Sequence, residues 1–131
     1  MAGISRDPRG GGTTMITLEE VRTKLDGELL TAGLPLDLEC PRLFASDLMS
    51  DVLTFAEPGA LLLTGLANSH VVSTCSVADL AGVVFVQGKR PDAGVIEQAR
   101  VKGLPLIATR LSMFQACSEV AVLLKEKGHG R

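Results

Sequence analysis

Ala60-Leu-Leu-Leu-Thr64, Gly82-Val-Val-Phe-Val86 and Leu104-Pro-Leu-Ile-Ala108 are the three apolar runs that decide the fold. Each is followed by a short polar loop and then by a segment with helical spacing. Apolar runs of this length without alternation are typical of strands buried on both faces. Strands that alternate with helices indicate right-handed βαβ units. The sequence therefore predicts a single three-layer α/β domain of four or five mostly parallel strands with flanking helices.

The loops that follow these runs are predicted to share one edge of the sheet. Parallel strands all point in the same direction, so their carboxyl ends meet, and open α/β sheets usually bind ligands at that edge. The polar and glycine residues of these loops therefore form a candidate site for a small ligand. They are Thr64, Gly65, Asn68, Ser69, Gly88, Lys89, Arg90, Asp92 and Thr109.

The predicted domain covers residues 15–128 of the 131-residue chain. Residues 1–14 are rich in glycine and polar residues and have too little apolar surface to order themselves, so we predict a disordered leader or tag. Residues 129–131 are predicted to form a frayed tail. A chain of this length can bury roughly two thirds of its unfolded surface, which is enough for stability without a disulfide or a metal.

Capping signals mark the outer helices. Thr17 and Glu20 form a capping-box pattern that predicts a first helix over about residues 18–25, and Ser112 and Gln115 repeat the pattern before the last helix. The predicted buried side of that last helix consists of Met113, Phe114, Cys117, Val120, Ala121 and Leu124.

Two prolines and two polar residues give further local predictions. Pro41 predicts a break in a strand over residues 38–45, and Ser46 or Asp47 is predicted to cap the helix that follows. Pro91 suits the first turn of a helix, where its missing amide costs nothing.

Composition excludes several classes of function. The net charge is −2 and the chain has four Phe but no Trp or Tyr, so neither a basic field nor an aromatic platform predicts nucleic-acid binding. No apolar run approaches the roughly 20 residues needed to span a membrane. The three cysteines are too far apart for a zinc or redox motif and suit a reducing, cytoplasmic setting.

Lys89 and Arg90 are the residues of the candidate site that most suggest chemistry. Two cations after a strand and before a helix can bind an anion such as a phosphate. A phosphate-binding loop of the P-loop type is excluded, because Lys89 is followed by Arg90 rather than by Ser or Thr. The alternative is a solvated loop whose charges confer solubility or contact a partner. For Thr64, Asn68 and Ser69 the alternative is turn formation and helix capping.

No catalytic or metal site is predicted. Asp47 and Asp51 are spaced to share a helix face, but no third ligand accompanies them. His70 and Cys75 could face each other on a helix, yet an active thiolate needs an electropositive and accessible setting. We therefore predict a protein that is not an enzyme and has no cofactor.

An apolar surplus predicts a homodimer. The mean hydropathy is +0.29, and residues 48–55 and 120–124 look apolar on more than one side. Exposed apolar patches of this kind usually mark interfaces.

Residues 46–120 resemble the DRTGG domain family, and in particular its small stand-alone branch. The resemblance rests on the order and spacing of five segments: Ala45-Ser-Asp-Leu-Met-Ser-Asp51, Leu62-Leu-Thr-Gly65, Val84-Phe-Val-Gln-Gly-Lys-Arg-Pro-Asp92, Gly103-Leu-Pro-Leu-Ile107 and residues 109–116. The sequence departs from the family motif where Gly88-Lys-Arg-Pro91 stands in place of Thr-Gly-Gly.

The resemblance implies a regulatory role. Domains of this family occur as regulatory segments, for example between the CBS domains of some family II pyrophosphatases, and they tend to dimerise. Stand-alone members are often encoded beside iron-hydrogenase-type subunits. The function expected on this basis is a non-catalytic regulatory or accessory module that senses a small anionic, nucleotide-like effector. The alternative is a protein-interaction subunit that docks a larger redox or hydrogenase-like enzyme without a small ligand.

Overall fold

The computed structural model describes residues 16–40 and 42–128. The predicted leader and tail, residues 1–14 and 129–131, lie outside the described residues. The strands are β1 (Ile16–Thr17), β2 (Glu28–Leu29), β3 (Glu39–Cys40), β4 (Leu43–Ala45), β5 (Leu61–Thr64), β6 (Gly82–Phe85) and β7 (Leu106–Ala108). The helices are α1 (Leu18–Lys24), α2 (Met49–Phe55), α3 (Ser69–Ala78), α4 (Ala93–Lys102) and α5 (Met113–Gly128).

Five of the strands form the main sheet, in the order β2-β7-β6-β5-β4. The four strands β4 to β7 are parallel to one another, and β2 joins the edge antiparallel to β7. β1 and β3 form a separate two-stranded antiparallel sheet. The prediction of one α/β domain with four or five mostly parallel strands is therefore confirmed.

Helices cover both faces of the sheet, which makes the three predicted layers. α2, α3 and α4 connect successive parallel strands, and their buried residues pack in one core cluster with Leu62, Val83 and Leu106. α1 and α5 pack on the other face with Leu63 and Val84. Neighbouring residues of a strand therefore contribute to different clusters, which is why the strands read as continuous apolar runs.

Most of the local signals act as predicted. Thr17 and Glu20 form both hydrogen bonds of a capping box, and so do Ser112 and Gln115. β3 and β4, on the two sides of the predicted strand break, belong to different sheets.

Three local predictions are wrong. The N-cap residue of α2 is Leu48, whose side chain makes no capping bond, so neither Ser46 nor Asp47 is the N-cap. α4 begins after Asp92, so Pro91 precedes the helix instead of lying in its first turn. Phe114 and Ala121 are both exposed, Phe114 by 80%, because the buried positions of α5 are Ala116 and Val120, on the other side of the helix.

Candidate functional site

The loops after β5, β6 and β7 do lie at one edge of the sheet and are joined by backbone hydrogen bonds. The Val86 amide donates to the Thr64 carbonyl oxygen at 3.0 Å, and the Gly88 amide donates to the Thr109 carbonyl oxygen at 2.9 Å. The structure thus places the predicted residues of neighbouring loops side by side. A polar group in these loops is available to a ligand only if it does not already bind another group of the chain.

An internal carboxylate occupies the loop after β5. Asp47 Oδ1 accepts from the Gly65 amide at 2.7 Å and from the Thr64 hydroxyl at 3.0 Å. Thr64 Oγ1 in turn accepts from the Leu66 amide at 3.1 Å. The Thr64 hydroxyl and the Gly65 amide, which are candidate donors to an anionic ligand, therefore already bind the carboxylate of Asp47. Asp47 also lies before α2, so the predicted pairing of Asp47 and Asp51 on one helix face does not occur.

Asn68 and Ser69 have structural roles at the start of α3. Asn68 is the N-cap, and its Oδ1 accepts from the His70 amide at 3.0 Å. Ser69 is the first residue of the helix and is exposed. The capping alternative accounts for Asn68.

The loop after β6 begins with a tight turn. Gln87 and Gly88 both have positive φ, 60° and 72°, and the Lys89 amide closes the turn on the Val86 carbonyl oxygen at 3.1 Å. Two successive residues with positive φ are characteristic of a type I′ turn, for which glycine is preferred. The turn projects Lys89 and Arg90 from the edge of the sheet, and both side chains are exposed.

Arg90 has a partner that the sequence did not reveal. Its two terminal nitrogens donate to the two carboxylate oxygens of Glu28 in β2, at 2.8 and 3.1 Å. This ion pair holds the pKa of Glu28 below, and that of Arg90 above, its usual value. No ion pair joins Lys89 to any residue within the described ranges. Arg90 is thereby directed toward β2, on the side of the sheet away from the loop after β5.

Asp92 and Thr109 complete the set, and both are used by the fold. Asp92 Oδ1 accepts from the Val95 amide at 2.9 Å as the N-cap of α4. The buried Thr109 hydroxyl donates to the Leu25 carbonyl oxygen at 2.8 Å and accepts from the Leu111 amide at 3.2 Å. Lys89 is consequently the cation of the candidate set that is not tied to a described side chain.

The topology of the sheet also bears on ligand binding. Doubly wound sheets bind ligands where the strand order reverses and adjacent crossover helices separate to opposite faces. Here β4, β5, β6 and β7 follow one another in a single direction, and their connecting helices share one face. The described sheet therefore has no such reversal point between its parallel strands. A ligand at this edge would bind on the loops instead of in a crevice between helices.

A shallow cavity of about 240 Å³ lies at the opposite edge. It is formed where the chain enters β6 and β7, and its lining includes Asp79, Leu80, Lys102 and Leu104. The sequence predicted a site at the carboxyl ends of the strands, and it did not predict this cavity at their amino ends.

The described residues contain no group of three or more His, Cys, Asp or Glu side chains placed to hold a metal ion. Cys40 and Cys75 are fully buried, and burial raises the pKa of each thiol to about 12. Cys75 is therefore protonated and inaccessible, whereas His70 is exposed, and the pair does not form a dyad. None of the helices in residues 16–40 and 42–128 is long and apolar enough to cross a membrane.

The fold is DRTGG-like. The chain is similar in structure to the CBS and DRTGG domains of the regulatory region of Clostridium perfringens pyrophosphatase, a crystal structure complexed with the activator diadenosine tetraphosphate, with a TM-score of 0.62. The match has 14% sequence identity and covers 85% of this chain and 46% of the other, so the chain spans about half the length of that structure. No family model and no curated protein sequence matches the chain.

Proposed function

We propose that the protein is a non-catalytic regulatory or accessory module. The observation that carries this proposal is the likeness of its fold to part of a pyrophosphatase regulatory region, over 85% of the chain. Its residues support the same conclusion, because the polar groups of the candidate edge mainly cap helices and close turns instead of forming a nucleophile with a base. The three cysteines, which form no disulfide with one another, suit action in the cytoplasm.

The effector in this proposal is a small anion of the nucleotide type, bound by Lys89 and Arg90. Both cations are exposed on the loop that leads into α4. The pyrophosphatase region binds a dinucleotide polyphosphate, which supports this class of ligand. An anion at the loop competes with Glu28 for the guanidinium of Arg90.

Thermal unfolding with and without nucleotides tests the proposal. ATP, ADP and diadenosine tetraphosphate are expected to raise the Tm, because a ligand that binds the folded state stabilises it, by about 2.7 kcal/mol at a concentration 100 times the Kd. The shift is expected to disappear in Lys89→Ala/Arg90→Ala. Arg100→Ala/Lys102→Ala is the matched control, since it removes two exposed cations from the other end of α4. No shift with any of the three nucleotides, or an equal loss in the control, would contradict effector binding at this loop.

A second candidate function is docking to a larger enzyme, of the redox or hydrogenase type, without a small ligand. It is favoured by exposed large apolar side chains on the helices, such as Leu53, Val101 and Phe114. Affinity capture with the wild-type chain and with Phe114→Glu tests it. Enrichment of one enzyme by the wild type and its loss in the variant would support docking, and an equal background in both would count against it.

A further inference from the structure

β4 is an edge strand of the main sheet, and no other strand of residues 16–40 and 42–128 pairs with its outer side. The Leu61 amide donates to the Arg42 carbonyl oxygen at 2.9 Å, and the Ser46 amide donates to the Leu63 carbonyl oxygen at 3.1 Å. The backbone groups of a strand point alternately to its two sides, so those of Phe44 face β5 as well, and those of Leu43 and Ala45 face away. Within the described ranges, no backbone hydrogen bond outside the β4–β5 ladder involves Leu43 or Ala45. The open side therefore presents two amides and two carbonyl groups.

An apolar flank of α2 borders this edge. Met49 and Val52 are the buried positions of the helix, whereas Leu48 and Phe55 are 57% and 64% exposed. Leu48 and Phe55 are seven residues apart, which places them on one side of the helix, about 90° from the buried direction. For a right-handed β4-α2-β5 crossover, that side faces away from α3 and toward the open edge of β4. Phe44 adds a third apolar side chain, because it packs on the same face of the sheet as α2.

We propose that β4 pairs antiparallel with β4 of a second copy of this chain, which joins the two sheets into one continuous ten-stranded sheet. The two-fold axis passes beside Phe44. Leu43 then forms a hydrogen-bonded pair with the second copy's Ala45, and Ala45 pairs with the second copy's Leu43. The two Phe44 residues lie opposite each other in a pair without hydrogen bonds, at a Cα separation of about 4.5 Å, where aromatic side chains interact across strands.

The spacing of the elements favours a second copy over another occupant. A crossover helix lies above the gap between the two strands that it connects. The axis of α2 is therefore expected about half a strand spacing from β4, on the side of β5. With strands about 4.8 Å apart, the two-fold axis brings the α2 helices to roughly 10 Å from each other, the upper end of the range for packed helices. Leu48 and Phe55 of each copy then fill the seam between the helices. A peptide strand from an unrelated partner would satisfy the backbone of β4 but would leave this apolar flank exposed.

This pairing goes beyond the proposed function, because neither effector binding nor docking requires it. It assigns the predicted homodimer to one particular surface, and it excludes the exposed Phe114 on α5 from the interface. Since α5 packs on the opposite face of the sheet from α2, the two regions are tested independently.

Sedimentation velocity or light scattering of the full chain at tens of micromolar tests the proposal. The wild type is expected at twice the mass of the 13.8 kDa chain. Ala45→Pro removes an outward-facing amide, which an edge strand tolerates, and Phe55→Glu places a charge in the seam, so both variants are expected at the mass of a single chain. Phe114→Glu is the matched control and is expected to remain a dimer.

Far-UV circular dichroism of each variant establishes that it is folded before its mass is interpreted. A monomeric wild type would overturn the proposal. So would a dimer that survives both Ala45→Pro and Phe55→Glu, whether or not Phe114→Glu dissociates it.

Discussion

The guanidinium of Arg90 and the carboxylate of Glu28 form a two-point ion pair, with N–O separations of 2.8 and 3.1 Å. The pair joins the loop after β6 to the antiparallel edge strand β2, across 62 positions of sequence. Both side chains remain largely exposed, so the pair is open to exchange with an anion from solution.

Replacing Glu28 with Gln is expected to increase the affinity of the loop for nucleotides. An exposed ion pair is weak, so removing the competing carboxylate should lower the Kd by no more than about fivefold. Isothermal titration calorimetry with diadenosine tetraphosphate measures the change. Glu97→Gln is the control, because Glu97 pairs in the same way with Arg100 within α4. Equal affinities of wild type and Glu28→Gln would contradict competition between Glu28 and the ligand for Arg90.

The carboxylate of Glu20 predicts a pH dependence of stability. A hydrogen bond from Lys127 and one from the Thr17 backbone hold its pKa below the usual value. A group with a lowered pKa in the folded state stabilises the protein above the pKa of the unfolded chain, about 4.3 for Glu, and loses this effect as the pH falls through the folded value.

We therefore expect wild type to be more stable than Glu20→Gln at pH 7, and the difference to shrink as the pH falls below the pKa of the unfolded chain, about 4.3. Urea unfolding of both proteins across this range measures the difference. A difference that persists unchanged at pH 3 would show that the charge of Glu20 is not its source.

Local signals predicted the central part of the fold well. The three apolar runs became β5, β6 and β7, and both capping boxes formed, because burial of a whole strand and capping of a helix each depend on residues that are close in sequence. The prediction that Phe114 is buried was wrong, although the start of the same helix was predicted correctly. A stripe defined by apolar residues alone cannot give the rotation of the helix about its axis, which is fixed by what Ala116 packs against.

The candidate site was less predictable, because its partners are distant in sequence. The approach of Asp47 to Gly65 spans 18 positions, and that of Arg90 to Glu28 spans 62. An aspartate just before a helix has the local pattern of an N-cap, and only the parallel pairing of β4 with β5 brings Asp47 to the end of β5 instead. The sequence therefore located the edge of the sheet but not the carboxylates that occupy it.

Substitution of Asp47 by Ala is expected to destabilise the fold by about 1–3 kcal/mol, the usual cost of leaving a buried hydrogen-bonding group without its partner. The loss leaves the buried Thr64 hydroxyl and the Gly65 amide without their acceptor. Asp51→Ala is the matched control and should change stability by less than about 0.5 kcal/mol, since Asp51 has no comparable role. Chemical denaturation of the two variants decides the point, and equal losses would remove Asp47 from its assigned position.

The three cysteines are expected to differ in reactivity. Cys40 and Cys75 are fully buried, with thiol pKa values of about 12, whereas Cys117 is half-buried and its pKa is raised less. A thiol-reactive dye at pH 8 should therefore label one site in the native protein and three in guanidinium. Cys117→Ser should abolish the native-state reaction, and rapid labelling of that variant would contradict the burial of the other two.

The turn after β6 offers the sharpest test of backbone strain. Gln87 has a φ of 60°, a conformation that costs a residue with a side chain about 1 kcal/mol or more. Gln87→Gly should therefore stabilise the protein by about 0.5–1 kcal/mol.

Gly88 is the converse case: its φ is 72° and a Cβ would meet no atom within 4 Å, so Gly88→Ala carries the conformational cost alone and should destabilise by about 1 kcal/mol. Thermal unfolding of both variants measures the two changes. Opposite signs would show that the turn is held in this conformation against the preference of Gln87, whereas a loss of stability in both would mean that the Gln87 side chain contributes more than its backbone strain costs.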